Sequence, residues 1–420
     1  MLEHYFVKPD TIDAIRASWI GGPIEQYVEW LAGNGYRSRT VLRRVPILRQ
    51  FGEFARDHGA TQWRELPTLV EPYVQYWVKI HAKNAYQAEQ WVANEARTPI
   101  EQLLCLILLD FRGGGRRRTR QDPFLDQAPS FFAYLRDERG LREKSLRHYG
   151  HYLRNLEAYL TRINLLQLSE LTPVVLSAFI VESGRRLSQH SMTGLCSSLR
   201  VFLRYLYRER LINRDLGATV ESPRRYQLAD LPRSISWDEV RRMLDVVDRR
   251  SALGKRDYAI LLLLVTYGLR GHEVAGLTLD HIDWKRERLL VPQRKAGHTT
   301  AYPLSSVVGE AILDYLKNAR PHTEERRLFF RVVAPIRPVT AVTVANQATQ
   351  YLRKAGIHVR RPGSHTLRHT CVQRLVDAEF NLKVIGDYVG HASPSSTRIY
   401  SKVDVETLRT VALDHEELLP

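Results

Sequence analysis

The sequence predicts a mainly α-helical protein with a small β-hairpin or sheet in its last third, an α+β class. Three observations support this prediction. Apolar residues recur along most of the chain at intervals of three and four, as on one face of a helix. Residues 289–291 and 300–304 flank a turn with Lys295 and Gly297, a pattern typical of a β-hairpin. The length of 420 residues exceeds what one hydrophobic core usually holds, which indicates two or three domains.

Two composition breaks divide the chain into three blocks. Residues 111–122 are rich in glycine and arginine and have no apolar periodicity, which indicates a basic linker. Residues 216–232 contain Pro223 and Pro232 and also lack a repeating apolar face, as expected of a second linker. We therefore expect a helical module over residues 1–110, a helical domain over 123–215 and a third domain over 233–412.

The first two blocks resemble one another when the sequence is shifted by 105 residues. In each block an apolar-periodic helix ends at a glycine, Gly35 or Gly140, and we expect Thr40 or Ser145 to cap a longer basic helix. Further matches at this offset are Leu48 with Leu153, Phe51 with Leu156, Phe54 with Tyr159 and Glu65 with Glu170. The matches favour a duplicated helical module, although any two pairs of amphipathic helices could be aligned in this way.

The third block is predicted to be mostly helical around the hairpin. Residues 236–239 have the capping-box pattern Ser-Trp-Asp-Glu, which opens a helix. Residues 257–267 are apolar almost all round, so they should form a buried central helix that ends at Gly268. Further helices are expected at about 341–355 and 382–389.

The charge balance favours a polyanionic partner. The chain carries 62 Lys and Arg against 46 Asp and Glu, a net charge of +16, and nucleic acid is the commonest such partner. No apolar run approaches the ~20 residues that span a bilayer. The first residues lack the pattern of a signal peptide, and the three cysteines are widely separated. We therefore expect a cytoplasmic protein with no membrane association.

The third block also contains the groups that phosphoryl transfer at a phosphodiester requires. Such a reaction needs fixed cations around the phosphate, an in-line nucleophile and an acid for the departing oxygen. Arginine suits the first task because its planar fork binds phosphate oxygens bidentately. The candidate residues in chain order are Arg270 followed by Glu273, Lys295 in the hairpin turn, His365 and Arg368 on one face of a helix that begins at Gly363, His391 and Tyr400.

Metal and nucleotide chemistry are disfavoured by the same residues. His365 and His369 have the spacing of a zinc helix, but Thr366 stands where that motif needs Glu. His272 and Glu273 begin the same motif, yet Gly276 occupies the place of the second histidine. The sequence also lacks a phosphate-binding loop of the G-x-x-x-x-G-K-[ST] type. We expect no metal and no cofactor.

This set of residues resembles the tyrosine recombinases, the phage-integrase family, at every catalytic position. The family pattern of Arg, Lys, His-x-x-Arg, His or Trp and then Tyr is filled by Arg270, Lys295, His365 with Arg368, His391 and Tyr400. The intervals also agree, with 26 residues from His365 to His391 and nine from there to Tyr400. The preceding block resembles the family's SAM-like core-binding domain more weakly.

The resemblance implies a site-specific DNA recombinase or integrase that acts without metal or ATP. Tyr400 would attack the scissile phosphate to give a 3′-phosphotyrosyl link, while Arg270 and Arg368 hold its oxygens. Lys295 would be the acid for the 5′-oxygen, with His365 assisting proton transfer at the tyrosine and His391 bonding the phosphate. Glu273 would orient this set.

The resemblance also implies partners and an architecture. The partner would be double-stranded DNA with specific recombination sites, held in a C-shaped clamp by helical DNA-binding modules and the catalytic domain. Four copies would assemble on two synapsed sites, or the chain would assemble with related recombinases, and the lengthened N-terminus suits a mobile element such as a transposon. Two alternatives remain: a catalytically silent DNA-binding protein derived from a recombinase, and an enzyme that stops at relaxation, as the related type IB topoisomerases do.

Overall fold

The structure, a computed structural model, describes residues 1–81, 86–111, 113, 121–223, 234–292 and 299–390. It is mainly helical and contains one small antiparallel sheet of three strands, which confirms the predicted fold class. The described residues divide into two compact units. Residues 113–223 belong to one unit, and residues 1–111 group with the described residues from 234 onward in the other. Within these described ranges, no helix is both long and apolar enough to cross a membrane.

The first 111 residues form five helices around their own hydrophobic core. The helices are α1 (Pro9–Arg16), α2 (Gly21–Gly33), α3 (Ser38–Asp57), α4 (Leu66–His81) and α5 (Tyr86–Ile107). Tyr27 on α2 and Leu48 and Phe51 on α3 are fully buried in this core. The chain reverses after α2 at Gly35, whose φ of +73° is a conformation that favours glycine. The N–H of Tyr36 closes the turn by donating to the carbonyl of Leu31 at 3.0 Å.

The described residues of the second unit, 113 and 121–223, form four helices in a similar arrangement. They are α6 (Phe131–Ala133), which continues as a π-helical turn over Tyr134–Glu138, α7 (Glu143–Arg162), α8 (Pro173–Gly184) and α9 (Gln189–Arg208). Leu153 and Leu156 on α7 pack with Phe202 on α9 in a separate core. Each unit of helices therefore buries its own apolar faces, as the 3.6-residue periodicity predicts.

The offset of 105 residues relates elements as well as residues. Helices α3 and α7 both contain 20 residues, and their first and last residues lie 105 apart. The short 3₁₀ turns that follow, Trp63–Glu65 and Leu168–Glu170, keep the same offset. Gly35 and Gly140 both have positive φ. The two modules thus share turn, helix and turn in the same order and at the same lengths.

The predicted caps of the two long helices are wrong. The structure starts α3 at Ser38 and α7 at Glu143, so Thr40 and Ser145 already lie within the first turn. The N-cap residues are Arg37 and Arg142, and neither side chain makes a cap hydrogen bond. The physical reason is that the chain after each glycine turn is extended only as far as Arg37 or Arg142 and is helical from the next residue, so Thr40 and Ser145 come too late to be caps.

Within residues 234–292 and 299–390, the third block forms seven helices and the sheet. The elements are α10 (Trp237–Asp245), α11 (Ala252–Tyr267), α12 (Gly271–Gly276), β1 (Ile282–Asp283), β2 (Arg288–Val291), β3 (Thr300–Pro303), α13 (Ser306–Asn318), α14 (Ala341–Lys354), α15 (Ser364–Asp377) and α16 (Leu382–Val389). The capping box before α10 is confirmed: the Glu239 N–H donates to Ser236 Oγ at 3.2 Å, and the Ser236 N–H to Glu239 Oε2 at 2.9 Å.

Helix α11 is the centre of this block. Its apolar residues are buried all round, as predicted, and it packs against α13 and α15. The hairpin is also confirmed, because β2 pairs antiparallel with β3 and places Leu289 opposite Tyr302 and Val291 opposite Thr300. The sequence did not predict β1, whose two residues are too few to show an alternating pattern.

Candidate active site

Three helices approach one another closely at the end of α11. Gly268 ends this helix in the left-handed conformation, with φ +59°. A Cβ at this position would lie 3.1 Å from Cγ1 of Val389 on α16 and 3.2 Å from Sγ of Cys371 on α15. Both the backbone conformation and the lack of space therefore favour glycine here. The close approach brings residues from distant parts of the sequence together around the Gly268 carbonyl.

Arg270 lies two residues beyond this point, at the N-cap of α12. Its backbone N–H donates to Glu273 Oε2 at 2.7 Å, and its Nη1 donates to Glu273 Oε1 at 2.9 Å. Its Nη2 donates to the carbonyl of Gly390, the residue that caps α16, at 2.8 Å. The Arg270 side chain is 14% exposed and that of Glu273 is 3% exposed. The Glu273 carboxylate and the Gly390 carbonyl thus both fix the guanidinium, and little of it is accessible to water.

Arg368 lies on α15 and is only 5% exposed. Its Nη1 donates to the Gly268 carbonyl at 2.5 Å, and its Nη2 donates to the Val389 carbonyl at 2.7 Å. The second bond satisfies one of the last carbonyls of α16, which have no partner within the helix. A cation at this end of a helix is also favoured by the helix dipole.

The two arginines therefore converge on consecutive carbonyls, those of residues 389 and 390. Each guanidinium has five N–H donors in a fixed plane, and the bonds to Glu273 and to the carbonyls fix the orientation of that plane. Two preorganised cations at one place can stabilise negative charge that develops on a phosphate. The sequence predicted both residues and their order, and the structure brings them together.

His365 lies one helical turn before Arg368 on α15, as its i, i+3 spacing predicts. The residue reaches the surface. Partial loss of solvation lowers the pKa of His365 below its usual value, and the neighbouring charges of Arg368 and Arg270 lower it further. The imidazole is therefore biased toward the neutral form, which can accept a proton.

The other three predicted site residues lie outside the described residues. Lys295 falls in the chain between Val291 and Thr300, which pair across the hairpin. His391 directly follows Gly390, the acceptor of the Arg270 bond, and Tyr400 follows nine residues later. The structure therefore brings together Arg270, His365 and Arg368 and gives no position for the rest.

Comparison with known proteins identifies the family. Residues 233–407 match the phage integrase family, and residues 129–210 match the N-terminal SAM-like domain of phage integrases. An integrase/recombinase of Sinorhizobium fredii is 35% identical over 408 residues, which cover 93% of this chain and 94% of that protein. The chain belongs to the phage integrase family of tyrosine recombinases. The resemblance inferred from the catalytic pattern is thereby confirmed, as is the enzyme class of tyrosine-type site-specific recombinases.

Relatives within the family differ in how much of this recombinase they match. Tyrosine recombinase XerD of Lacticaseibacillus casei is 29% identical over 290 residues, which are 96% of that protein but only 68% of this chain. About a third of this recombinase therefore has no counterpart in that match, whereas the Sinorhizobium relative matches nearly the whole length.

A solved structure confirms the fold of the recombinase. The XerH site-specific recombinase bound to a palindromic difH substrate covers 84% of this chain and 97% of its own, with a TM-score of 0.55 and 16% identity. At this identity the likeness concerns the fold alone.

The sequence did not predict several hydrogen-bonding groups around the site. The carbonyls of residues 268, 389 and 390 accept the arginine bonds, and backbone acceptors leave no trace in residue type. The glycine that follows each of α11 and α16 does indicate where these carbonyls lie, because it marks the end of the helix, where carbonyls have no partner within the helix. Tyr302 was also missed: its hydroxyl donates to the Tyr388 carbonyl and ties β3 to α16.

Proposed function

We propose that this recombinase cuts and rejoins duplex DNA at specific sites through a 3′-phosphotyrosyl intermediate on Tyr400. The observation that carries the proposal is the convergence of Arg270 and Arg368 on neighbouring carbonyls. His365 lies one helical turn from Arg368 on α15. Two oriented guanidiniums beside a neutral imidazole form a site for an anionic, proton-coupled transfer. Lys295, His391 and Tyr400 are assigned by their order and spacing in the sequence.

The proposed chemistry balances without an external reactant. The Tyr400 hydroxyl oxygen attacks the scissile phosphorus while its proton passes to His365, whose lowered pKa keeps it able to accept. The bond from phosphorus to the 5′-oxygen breaks, and Lys295 donates the proton that makes a 5′-hydroxyl. A 5′-hydroxyl from the other duplex then reverses the same steps. One phosphodiester is lost and one is regained, so neither ATP nor a metal is part of the scheme.

The arginines act on the phosphate oxygens in this scheme. Charge on these oxygens rises as the tyrosine attacks, so donors fixed beforehand stabilise the transition state more than the ground state. Glu273 is a positioning residue in this scheme, because its carboxylate accepts from the backbone N–H and from Nη1 of Arg270. His391 adds a further hydrogen bond to the phosphate.

We propose duplex DNA with specific recombination sites as the substrate, with four copies on two sites or a joint assembly with related recombinases. The net charge of +16 supports a polyanionic partner. Solved relatives of the same fold include the Tn1549 transposon integrase in complex with transposon right-end DNA, at 17% identity. Integration, excision or transposition of a mobile element is the role that we propose. Cys105, Cys196 and Cys371 form no disulfide with one another, which fits action on DNA in a reducing cytoplasm.

The test is recombination between two duplexes taken from the ends of the DNA segment that carries the gene. We expect joined products in the presence of EDTA and without nucleotide, and none with Tyr400→Phe. Products that require a divalent metal would contradict the proposal. Tight binding by the wild-type chain without any strand cleavage would also contradict it.

A further inference from the structure

Helices α3 and α7 present the same positions to solvent. The exposed residues pair at the offset of 105 as Arg39 with Lys144, Leu42 with Arg147, Arg43 with His148, Pro46 with His151, Gln50 with Asn155 and Glu53 with Ala158. A preceding arginine is exposed in each module, Arg37 and Arg142. The repeat therefore extends from the buried faces to the outer face of the helix.

Basic residues are concentrated at the start of this face in the N-terminal module. Between Glu29 and Glu53 the chain contains five arginines and no acidic residue. Two of the five are used locally: Arg44 donates to Tyr27 Oη and to Gln102 Oε1, each at 2.9 Å, and Arg49 lies 3.5 Å from Glu53.

The remaining three arginines face solvent, and we call them the α3 arginine surface: Arg37, Arg39 and Arg43. Arg37 and Arg39 make no ion pair with any residue that the structure describes. Arg43 is 57% exposed and lies 3.7 Å from Glu95, a separation at which an exposed pair contributes little. All three guanidiniums can therefore reach an external anion.

The charge is local rather than a property of the whole module. Residues 1–110 contain 12 Lys and Arg against 13 Asp and Glu, whereas residues 123–215 contain 14 against 9. The first module has no general attraction for a polyanion, so any attraction must come from a locally basic surface. The α3 arginine surface is one, since Arg37 and Arg39 have no ion pair within the described residues and Glu95 lies beside Arg43 alone of the three.

Within its compact unit, the α3 arginine surface lies close in sequence to a loop that contacts the loop before α14. The N–H of Ile336, in the loop before α14, donates to the Asn34 carbonyl at 3.1 Å. A Cβ on Gly35 would lie only 2.8 Å from Cγ1 of Ile336, so the two loops are in direct contact. Arg37 follows two residues later. The surface is therefore anchored to the same compact unit as Arg270 and Arg368.

We propose that the α3 arginine surface binds the phosphate backbone of duplex DNA, as an additional contact made by the N-terminal module. The proposal rests on the proposed function to the extent that DNA is the substrate. Exposed arginines such as these neutralise phosphates and release counterions. The contact carries no sequence information of its own and positions the chain on the duplex.

The test measures how binding to a random-sequence duplex depends on salt. The full chain carries Tyr400→Phe so that no cleavage interferes. With Arg37→Ala and Arg39→Ala together, the slope of log K against log salt should fall by about 2, since each phosphate contact contributes roughly 0.9. Neither side chain caps α3, so the helix should be kept.

The matched control is the double variant Arg64→Ala with Lys79→Ala, which removes the same charge from exposed positions elsewhere in the module. Its slope should equal that of the parent chain. Equal losses in the two doubles would overturn the proposal, because only net charge would then matter. An unchanged slope with a smaller assembly by sedimentation would overturn it too and indicate a contact between copies. Failure of the proposed function would appear separately, as absence of the covalent adduct in the chain that keeps Tyr400.

Discussion

Glu273 accepts two hydrogen bonds from Arg270, one from the backbone N–H at 2.7 Å and one from Nη1 at 2.9 Å. The first bond starts α12, and the second turns the guanidinium so that Nη2 reaches the Gly390 carbonyl at 2.8 Å. One carboxylate thus sets both the helix start and the direction of a proposed catalytic cation. Glu273 supplies the N3 half of a capping box, whereas Arg270 at the N-cap has no acceptor to return the second bond as Ser or Thr would.

Glu273→Gln should lower strand cleavage while leaving DNA binding close to that of the wild type. The amide keeps the shape of the side chain and one of the two acceptor oxygens, but it loses the charge and turns an NH2 donor toward one of the two Arg270 donors. We expect a fall of about tenfold, less than for loss of a transition-state donor, which typically costs ~10²–10³. Single-turnover formation of the covalent adduct measures the rate, and a thermal melt checks the fold. A loss as large as that of Arg270→Ala in a folded chain would show that Glu273 does more than position.

Replacing Arg270 or Arg368 with lysine should lower the rate of strand cleavage far more than the affinity for DNA. Lysine keeps the charge but cannot bridge two acceptors as the arginine fork does. Arg270→Lys and Arg368→Lys should each reduce the cleavage rate by ~10²–10³. Gel shift and adduct formation on one substrate separate the two effects.

The control for these variants is Arg353→Lys, at an exposed position on α14, which should leave both readouts unchanged. Because Arg368 is buried and bonds two carbonyls, its variant also needs a melting curve: an unpaired buried carbonyl costs about 1–3 kcal/mol. Small and equal losses of binding and cleavage would remove both arginines from the proposed role.

Much of this arrangement could be predicted from residue order because its signals are local. The buried α11, its end at Gly268 and the i, i+3 placement of His365 and Arg368 follow from periodicity and helix-end chemistry. The carbonyls that hold the arginines could not be predicted, since they belong to the backbone of a helix about 120 residues away from Arg270. Only the folded packing of α11, α15 and α16 brings them together.

The start of α3 shows a second limit of prediction from sequence. Thr40 has the residue type of a cap, yet the helix begins at Ser38 because the turn at Gly35 sets the path of the chain. Residue preference at a cap is worth about 1 kcal/mol, and a fixed glycine turn with its own hydrogen bond outweighs it. The same reason applies to Ser145 after Gly140.

His365 should titrate below its usual value near pH 6.5. Lost solvation and the charges of Arg368 and Arg270 disfavour the imidazolium, so the folded pKa is lowered. The unfolded chain then binds more protons between the two pKa values, and this residue destabilises the fold as the pH falls below about 6.5. The rate of strand cleavage should likewise fall only below that pH, because His365 accepts the Tyr400 proton in its neutral form.

Histidine NMR signals of the full chain measure this pKa, and His365→Gln identifies the signal that belongs to the residue. The pH profile of adduct formation gives the second readout. A midpoint at or above the usual value would contradict the proposed role of a neutral proton acceptor at pH 7. An acid limb that survives unchanged in His365→Gln would assign the titration to another group.

Tyr400 should become covalently attached to DNA when the 5′-hydroxyl cannot return. A duplex nicked just beyond the scissile phosphate releases a short 5′-hydroxyl fragment, so the phosphotyrosyl link persists. The adduct should form in EDTA and without ATP, and Tyr400→Phe should abolish it while binding stays near that of the wild type. Tyr388 is the matched control, because its hydroxyl already donates to the Thr266 carbonyl at 3.1 Å and its loss as Tyr388→Phe removes one ordinary hydrogen bond of about 1 kcal/mol. Tyr388→Phe should therefore keep the adduct. Peptide mapping that places the DNA on Tyr388, or an adduct that forms only with a divalent metal, would refute the mechanism.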